Sequence, residues 1–378
     1  MFPEMQLWLK VLLTVAIAAL IAFGTTPIIK TFAQKVGAID VPDQVRHFHA
    51  HPTPRMGGMA IFLGFLISVL LFVDIARPVQ GILIGAVIIV ATGVVDDIIN
   101  MKYYFKLAAQ ILAAVIAVTH GVVIRGFMNP NVFSPDETLF VGILSVPVTI
   151  LWIVGITNAV NLIDGLDGLA CGVSAISSVT MLVVALMVSE PNVALILAAL
   201  AGGCLGFIPY NLNPAKIFMG DTGALLLGYV LATVSILGLF KFYAVMTFIV
   251  PILALALPLF DTLFAIVRRL IHGQNPMTPD RGHLHHRLID HGLSQKQTVA
   301  VLYSLSAMLG LTAVVICTTG RLRLMLLIID LVIAAVVGVF VYETIEHPAR
   351  NTPAASPESN RPHVVEMPAE PEKKEKAE

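Results

Sequence analysis

The chain has 378 residues, 57% of them hydrophobic and only 12% charged, against about 25% charged in an average soluble domain. That composition excludes a water-soluble globular protein, and a formal net charge of −1 gives no reason to expect a nucleic-acid partner. The apolar residues gather in runs of roughly 18 to 25, the length of a bilayer-crossing helix, without the alternation of a barrel strand.

Taken in order, the runs predict an all-α polytopic membrane protein of about eleven transmembrane helices, near 7–27, 57–75, 79–95, 105–122, 138–158, 169–188, 192–210, 222–239, 243–266, 297–318 and 323–342. The first run lacks a basic leader and a small-residue cleavage site, so it is expected to be a retained span rather than a signal peptide. Lys30, Lys35, Arg46, Arg55, Lys102, Lys106, Lys216, Arg268, Arg269, Arg281, Arg287 and Lys296 fall in loops on one side, and only Arg77, Arg125, Lys241, Arg321 and Arg323 on the other. This asymmetry predicts an outside N-terminus and a cytoplasmic C-terminus in a plasma or inner membrane. Residues 1–343 are expected to form one membrane unit. Residues 344–378, rich in Pro, Glu and Lys, are expected to be a disordered cytoplasmic tail. Cys171, Cys204 and Cys317 lack metal-type spacing and are expected to be small core residues.

The acids next to spans share a side. Asp96 and Asp97 follow the third span, Asp164 and Asp167 follow the fifth, Asp221 precedes the eighth, and Asp261 lies inside the ninth. Interfacial anchors are usually Lys, Arg, Trp or Tyr, and an Asp near hydrocarbon costs about 2.5–3.5 kcal/mol at the bilayer centre. Acids flanked by Gly or Asn at one membrane face therefore point to a shared cavity. In "NAVNLIDGLDGL", Gly165 and Gly168 disfavour a continued helix. Asn158 and Asn161 are expected near the end of the fifth span, with Asp164 and Asp167 in a tight turn before the sixth. "MGDTGALLLG" places an acid at a helix start, where the N-terminus would favour phosphate. Oxygen ligands without thiolates suit Mg²⁺, or Mn²⁺, together with substrate phosphates. In "RRLIHGQNPMTPDRGHLHHRLIDHG", Arg side chains interleave with His283, His285 and His286, which favours anion binding over zinc.

"PRMGGMAIF", "DDIIN", "NAVNLIDGLDGLA", "FMGDTGALLLG" and "RGHLHHRLID" occur in order and spacing that resemble the polyprenyl-phosphate N-acetylhexosamine-1-phosphate transferases, over about residues 10 to 342. "HLHHR" resembles the bacterial N-acetylglucosamine branch rather than the N-acetylmuramoyl-pentapeptide branch, which typically carries three consecutive histidines. The resemblance implies transfer of N-acetylglucosamine-1-phosphate from UDP-GlcNAc to the inner-leaflet lipid undecaprenyl phosphate, with release of UMP, and it leaves a homodimer open. It also implies roles: Asp221 and Asn161 at the metal, Asp96, Asp97 and Asp164 in catalysis, and Asn158, Asp167, Asn211 and Phe218 at the nucleotide. Lys106, Arg281, His283, His285 and His286 are implied at the phosphates and sugar. The chain departs from the family's "DDxxD" at Asn100, which puts a required third carboxylate in doubt. A secondary transporter is the rival from another class, although its acids would be expected near the bilayer midplane.

Overall fold

A computed structural model of the chain describes residues 6–41, 52–128, 138–239, 246–273 and 282–346. The expected tail beyond 346, and the histidines at 47, 49 and 51, lie outside the described residues.

The long apolar runs are helices, because a backbone in hydrocarbon must satisfy its own polar groups. In chain order they are α1 (Leu7–Val36), α2 (Gly58–Phe72), α3 (Arg77–Ile99), α4 (Tyr103–Thr119), α5 (Ser145–Leu162), α6 (Leu169–Met187), α7 (Pro191–Asn211) and α8 (Gly220–Val234). They continue with α9 (Met246–Ala254), α10 (Ala256–Ile271), α11 (Leu284–Asp290), α12 (Gln295–Cys317) and α13 (Gly320–Glu346). Eight helical segments among the described residues are long and apolar enough to cross a membrane. The expected spans near 57–75 and 105–122 correspond to the shorter apolar helices α2 and α4.

The fold is that of an all-α polytopic membrane protein, with two short antiparallel strand pairs in loops among the described residues: β1 (Ile39–Asp40) with β2 (Thr53–Pro54), and β3 (Gly126–Met128) with β4 (Thr138–Phe140). One expectation needs correction. The span expected at 243–266 is two helices, α9 and α10. Pro258 has no N–H to return to Ala254, so the ladder breaks there. The Ala254 carbonyl accepts instead from the Ser177 hydroxyl of α6, at 2.6 Å.

Close helix packing depends on small residues. α1 turns Thr14, Ala18, Ala22, Thr26 and Ala33 inward, all buried, and it packs closely on α7. At the far end of the chain, α13 packs on α12, and its Asp330 accepts from Thr312 of α12 at 2.7 Å. The deepest element is α8, every residue of which from Thr222 to Val234 is buried. Its first turn meets α2 and α3 through glycine: a methyl at Gly58 would lie 2.1 Å from the Gly223 nitrogen, and one at Gly93 2.4 Å from the Thr222 Cα. Any larger side chain would separate the three helices.

Candidate active site

The ends of α3, α5 and α7 and the starts of α2, α4, α6, α8 and α12 meet at one end of the bundle, which follows from antiparallel neighbours joined by short loops. Between them lies a cavity of ≈ 320 Å³ lined by Asp97, Asn161, Asp164, Asp167, Asn211 and Phe218, together with Gly220, Asp221, His286, Asp40, Arg55 and Gln295.

"NAVNLIDGLDGL" folds as its glycines require. α5 ends at Leu162, and Gly168 adopts φ 80° to admit α6 at Leu169. Asp164 and Asp167 sit in the turn between them. The Asp164 carboxylate accepts no hydrogen bond from the described residues, and its electrostatic neighbours are Asp221, Asp97 and Asp167. Burial, then the repulsion of those three acids, pushes its pKa up to about 8.

Asp221 is the hub. Its Oδ2 receives the Lys106 ammonium at 2.8 Å, and its Oδ1 receives the Asn161 amide at 3.2 Å. Lys106 also reaches Asp96 Oδ2 at 3.0 Å, and the other Asp96 oxygen accepts from the Met101 N–H at 2.7 Å. Asp96 therefore acts on the cavity wall from behind, through Lys106. Asn100 C-caps α3 with φ 53° and is exposed, so the chain holds no acid in the cavity at that position.

Asp97 is committed differently. It accepts from the backbone N–H groups of Asp221 and Thr222, at 3.0 and 3.2 Å, and from the Thr222 hydroxyl at 2.6 Å. It caps α8 from across the bundle. This corrects the expectation that the start of α8 awaits a phosphate: those N–H groups already face a carboxylate.

The histidine loop divides. His283 Nδ1 bonds Asp261 Oδ2 at 2.9 Å, and the Leu284 N–H bonds Asp261 Oδ1 at 2.7 Å. Asp261 is thus the anchor that docks α11 on α10 and does not join the acids of the cavity. His285 is 2% exposed and abuts Gly165, where a methyl would lie 2.5 Å from its Nε2. Burial, then repulsion from His286, lowers its pKa to about 4, which keeps the ring neutral. Of the three, His286 lines the cavity. On the other side of α11 is a second, apolar cavity of ≈ 290 Å³ bounded by Phe260, Phe264, Leu284 and Leu309. Arg281 lies outside the described residues.

Asn158, expected at the nucleotide, does not line the cavity: its amide donates to Gln110 at 2.6 Å and to the Val154 carbonyl at 2.8 Å, tying α5 to α4. Sequence reasoning missed the Asp40–Arg55 ion pair on the cavity wall and missed Gln295. Neither carries a local signature, because each is an ordinary polar residue at a helix or strand end.

Among the described residues, no three His, Cys, Asp or Glu side chains are arranged to close on a metal ion by themselves. The donors still fit a magnesium site. Magnesium usually takes only one or two protein oxygens and fills its remaining positions with water and substrate phosphate. The cavity offers hard carboxylate and carboxamide oxygens. Among the described residues Asp164 lacks a cationic partner, and the Asn161 carbonyl oxygen is left over once its nitrogen serves Asp221.

Comparison with known proteins bears on the chemistry. The model of glycosyl transferase family 4 matches residues 79–239. The chain is 39% identical over 309 residues to a probable undecaprenyl-phosphate N-acetylglucosaminyl 1-phosphate transferase of Bacillus subtilis, covering 82% of this chain and 85% of that protein. It is 33% identical over 314 residues to a decaprenyl-phosphate N-acetylglucosaminephosphotransferase of Mycolicibacterium smegmatis, 76% and 77% of the two chains. A phospho-N-acetylmuramoyl-pentapeptide-transferase of Staphylococcus epidermidis is 34% identical over a shorter 242 residues, 58% and 74%.

Proposed function

The chain belongs to glycosyl transferase family 4, and from that premise we propose that it transfers N-acetylglucosamine-1-phosphate from UDP-GlcNAc to undecaprenyl phosphate, releasing UMP and initiating a cell-envelope glycopolymer. The observation that carries this reading is the hub at Asp221 on the cavity wall, where Asn161 meets it from the cavity side and Lys106 and Asp96 back it from two other helix ends. The similarity to the N-acetylmuramoyl-pentapeptide enzyme covers less of this chain, which favours the N-acetylglucosamine donor.

Both substrates are anions, so their encounter has to be neutralised and aligned. Asp221 and Asn161, with the uncommitted carboxylate of Asp164 beside them, would hold Mg²⁺, or Mn²⁺. When bound, the cation neutralises charge that develops on the diphosphate as UMP leaves. Lys106 supplies a fixed positive charge beside the same carboxylate. Asp96 orients that ammonium, and Asp97 fixes the first turn of α8 and so the Asp221 backbone. Asp164 and Asp167 line the nucleotide side with Phe218 and Asn211, while His286 faces the cavity from α11. The attacking phosphate oxygen is already anionic, so a single in-line displacement needs no covalent enzyme intermediate.

The basic residues Lys35, Lys102, Lys216, Arg268, Arg269 and Lys296 cluster at the cavity end of the helices, which supports a cytoplasmic side for this end in a plasma or inner membrane, where a soluble nucleotide sugar and a membrane lipid can meet. With the cavity end inside, the N-terminus lies outside and α13 returns the chain to the cytoplasm. The test is incubation of membranes with labelled UDP-GlcNAc and undecaprenyl phosphate. Butanol-extractable label that tunicamycin abolishes is expected. Uptake of label without lipid labelling would favour a carrier instead.

A further inference from the structure

Arg55 is the only Lys or Arg among the described residues that line the large cavity, whose wall otherwise carries the acids Asp97, Asp164, Asp167 and Asp221. Lys106 supports Asp221 from behind that wall and does not line the cavity. The backbone around Arg55 is held on two sides. Its N–H donates to the Ala38 carbonyl at 2.9 Å, just ahead of β1. On the other side the Pro54 carbonyl accepts from the Phe218 N–H at 2.8 Å, and the N–H groups of Gly57 and Gly58 donate to the Phe218 and Met219 carbonyls, each at 2.9 Å. Residues 54–58 are thus laced between the strand pair and the segment that carries Phe218. Met56, in their middle, takes φ 79° and is fully buried. A side chain other than glycine rarely adopts that conformation, and where the surroundings impose it the site is often functional.

The side chain is aimed as well. Arg55 Nη2 donates to Oδ1 of the buried Asp40, across the strand pair. That carboxylate is the only acceptor of the Arg55 guanidinium among the described residues. A guanidinium carries five N–H donors in one plane. One is spent on Asp40, and those that remain make a fork of fixed direction for a second anion.

Resting on the proposed nucleotide-sugar reading, we infer that Arg55 binds the diphosphate of the sugar donor, with Asp40 as the positioning residue that orients its guanidinium. Phosphate oxygens match the planar fork in pairs. An anionic donor entering a cavity with this many acids needs positive charge on the wall in addition to a bound metal ion. The backbone bond between Pro54 and Phe218 sets the fork beside the proposed nucleotide wall, and so next to the phosphates that the nucleotide carries rather than to the lipid phosphate.

The experiment measures UDP-GlcNAc turnover by the purified full chain in detergent, with UDP and uridine as competing inhibitors. For Arg55→Gln, the KM for UDP-GlcNAc and the UDP inhibition constant are each expected to rise roughly 10- to 100-fold, the loss of a charged hydrogen-bonded contact. The uridine constant and the KM for undecaprenyl phosphate are expected to hold, so the preference for UDP over uridine collapses. Arg55→Lys, which keeps the charge and loses the fork, is expected to fall between the two and gives a second reading should Arg55→Gln not fold. Asp40→Asn is expected to raise the UDP constant in the wild-type background and to add nothing to it in the Arg55→Gln background. Equal weakening of UDP and uridine would show that the ion pair only braces the strand pair and would overturn the inference, as would unchanged constants. A rise confined to the KM for undecaprenyl phosphate would put Arg55 at the lipid phosphate and overturn it too. Absence of turnover by the wild-type chain would overturn the proposed function and this inference with it, whereas normal wild-type turnover with an unaltered preference for UDP over uridine in the variants overturns this inference alone.

Discussion

The ammonium of Lys106 lies 2.8 Å from the carboxylate of Asp221, although the two residues are 115 positions apart in the chain. Lys106 enters from the first turn of α4 and Asp221 from the first turn of α8, so the contact exists only when the two helix starts meet. Lys106→Met would leave Asp96 and Asp221 facing one another without a counter-charge. Transferase activity is expected to fall by at least roughly 100-fold while the protein still inserts, a loss on the scale of a misplaced catalytic group. Asp221→Ala and Asp96→Asn are expected to remove nearly all activity. Substantial lipid labelling by either purified variant would refute their roles.

Asp97 should behave differently from Asp221, because its three accepted hydrogen bonds all go to the start of α8. Asp97→Asn replaces one accepting oxygen by a donor that faces backbone N–H. Each donor left unsatisfied costs about 1–3 kcal/mol. The variant is expected to lose activity and thermal stability together, whereas Asp221→Ala should lose activity with a smaller change in unfolding temperature. Unfolding followed by intrinsic fluorescence in detergent separates the two.

Asp261 holds α11 through the His283 ring and the Leu284 N–H, and it does so outside the catalytic cavity. Asp261→Ala removes both acceptors. Faster amide hydrogen exchange across 283–291 is expected, with a raised KM for UDP-GlcNAc, since His286 rides on the same short helix. Unchanged exchange there would show that α11 is docked by its apolar contacts alone.

Metal dependence should be visible in stability as well as in turnover. The Asp164 pKa is raised from 3.8 to about 8, so between those values the folded state binds the proton more tightly than the unfolded state does. Stability of the metal-free protein should therefore fall as pH rises from about 4 through 8. Mg²⁺ near the acids should restore it, and more at pH 8.5 than at pH 6. Asp164→Asn should flatten the profile. EDTA is expected to abolish turnover, and activity undiminished by EDTA would contradict a divalent-ion site.

The sequence by itself determined the membrane class, the positions of most helices, the gathering of acids at one end and the family. These are properties of composition, run length and local spacing, which helix formation in hydrocarbon reads directly. The turn at Gly165 and Gly168 was legible for the same reason, since glycine limits a helix locally. Tertiary structure alone decided which polar groups were already committed to one another. Asp97 caps a helix 125 residues away, Asn158 is tied to Gln110, and Asp261 anchors His283. Gln295 gained its orientation from Asp167 by way of Asn213. Hydrogen-bond partners are chosen by the packing of helices remote in sequence, and the hydropathy of a segment does not encode the face its neighbour will present.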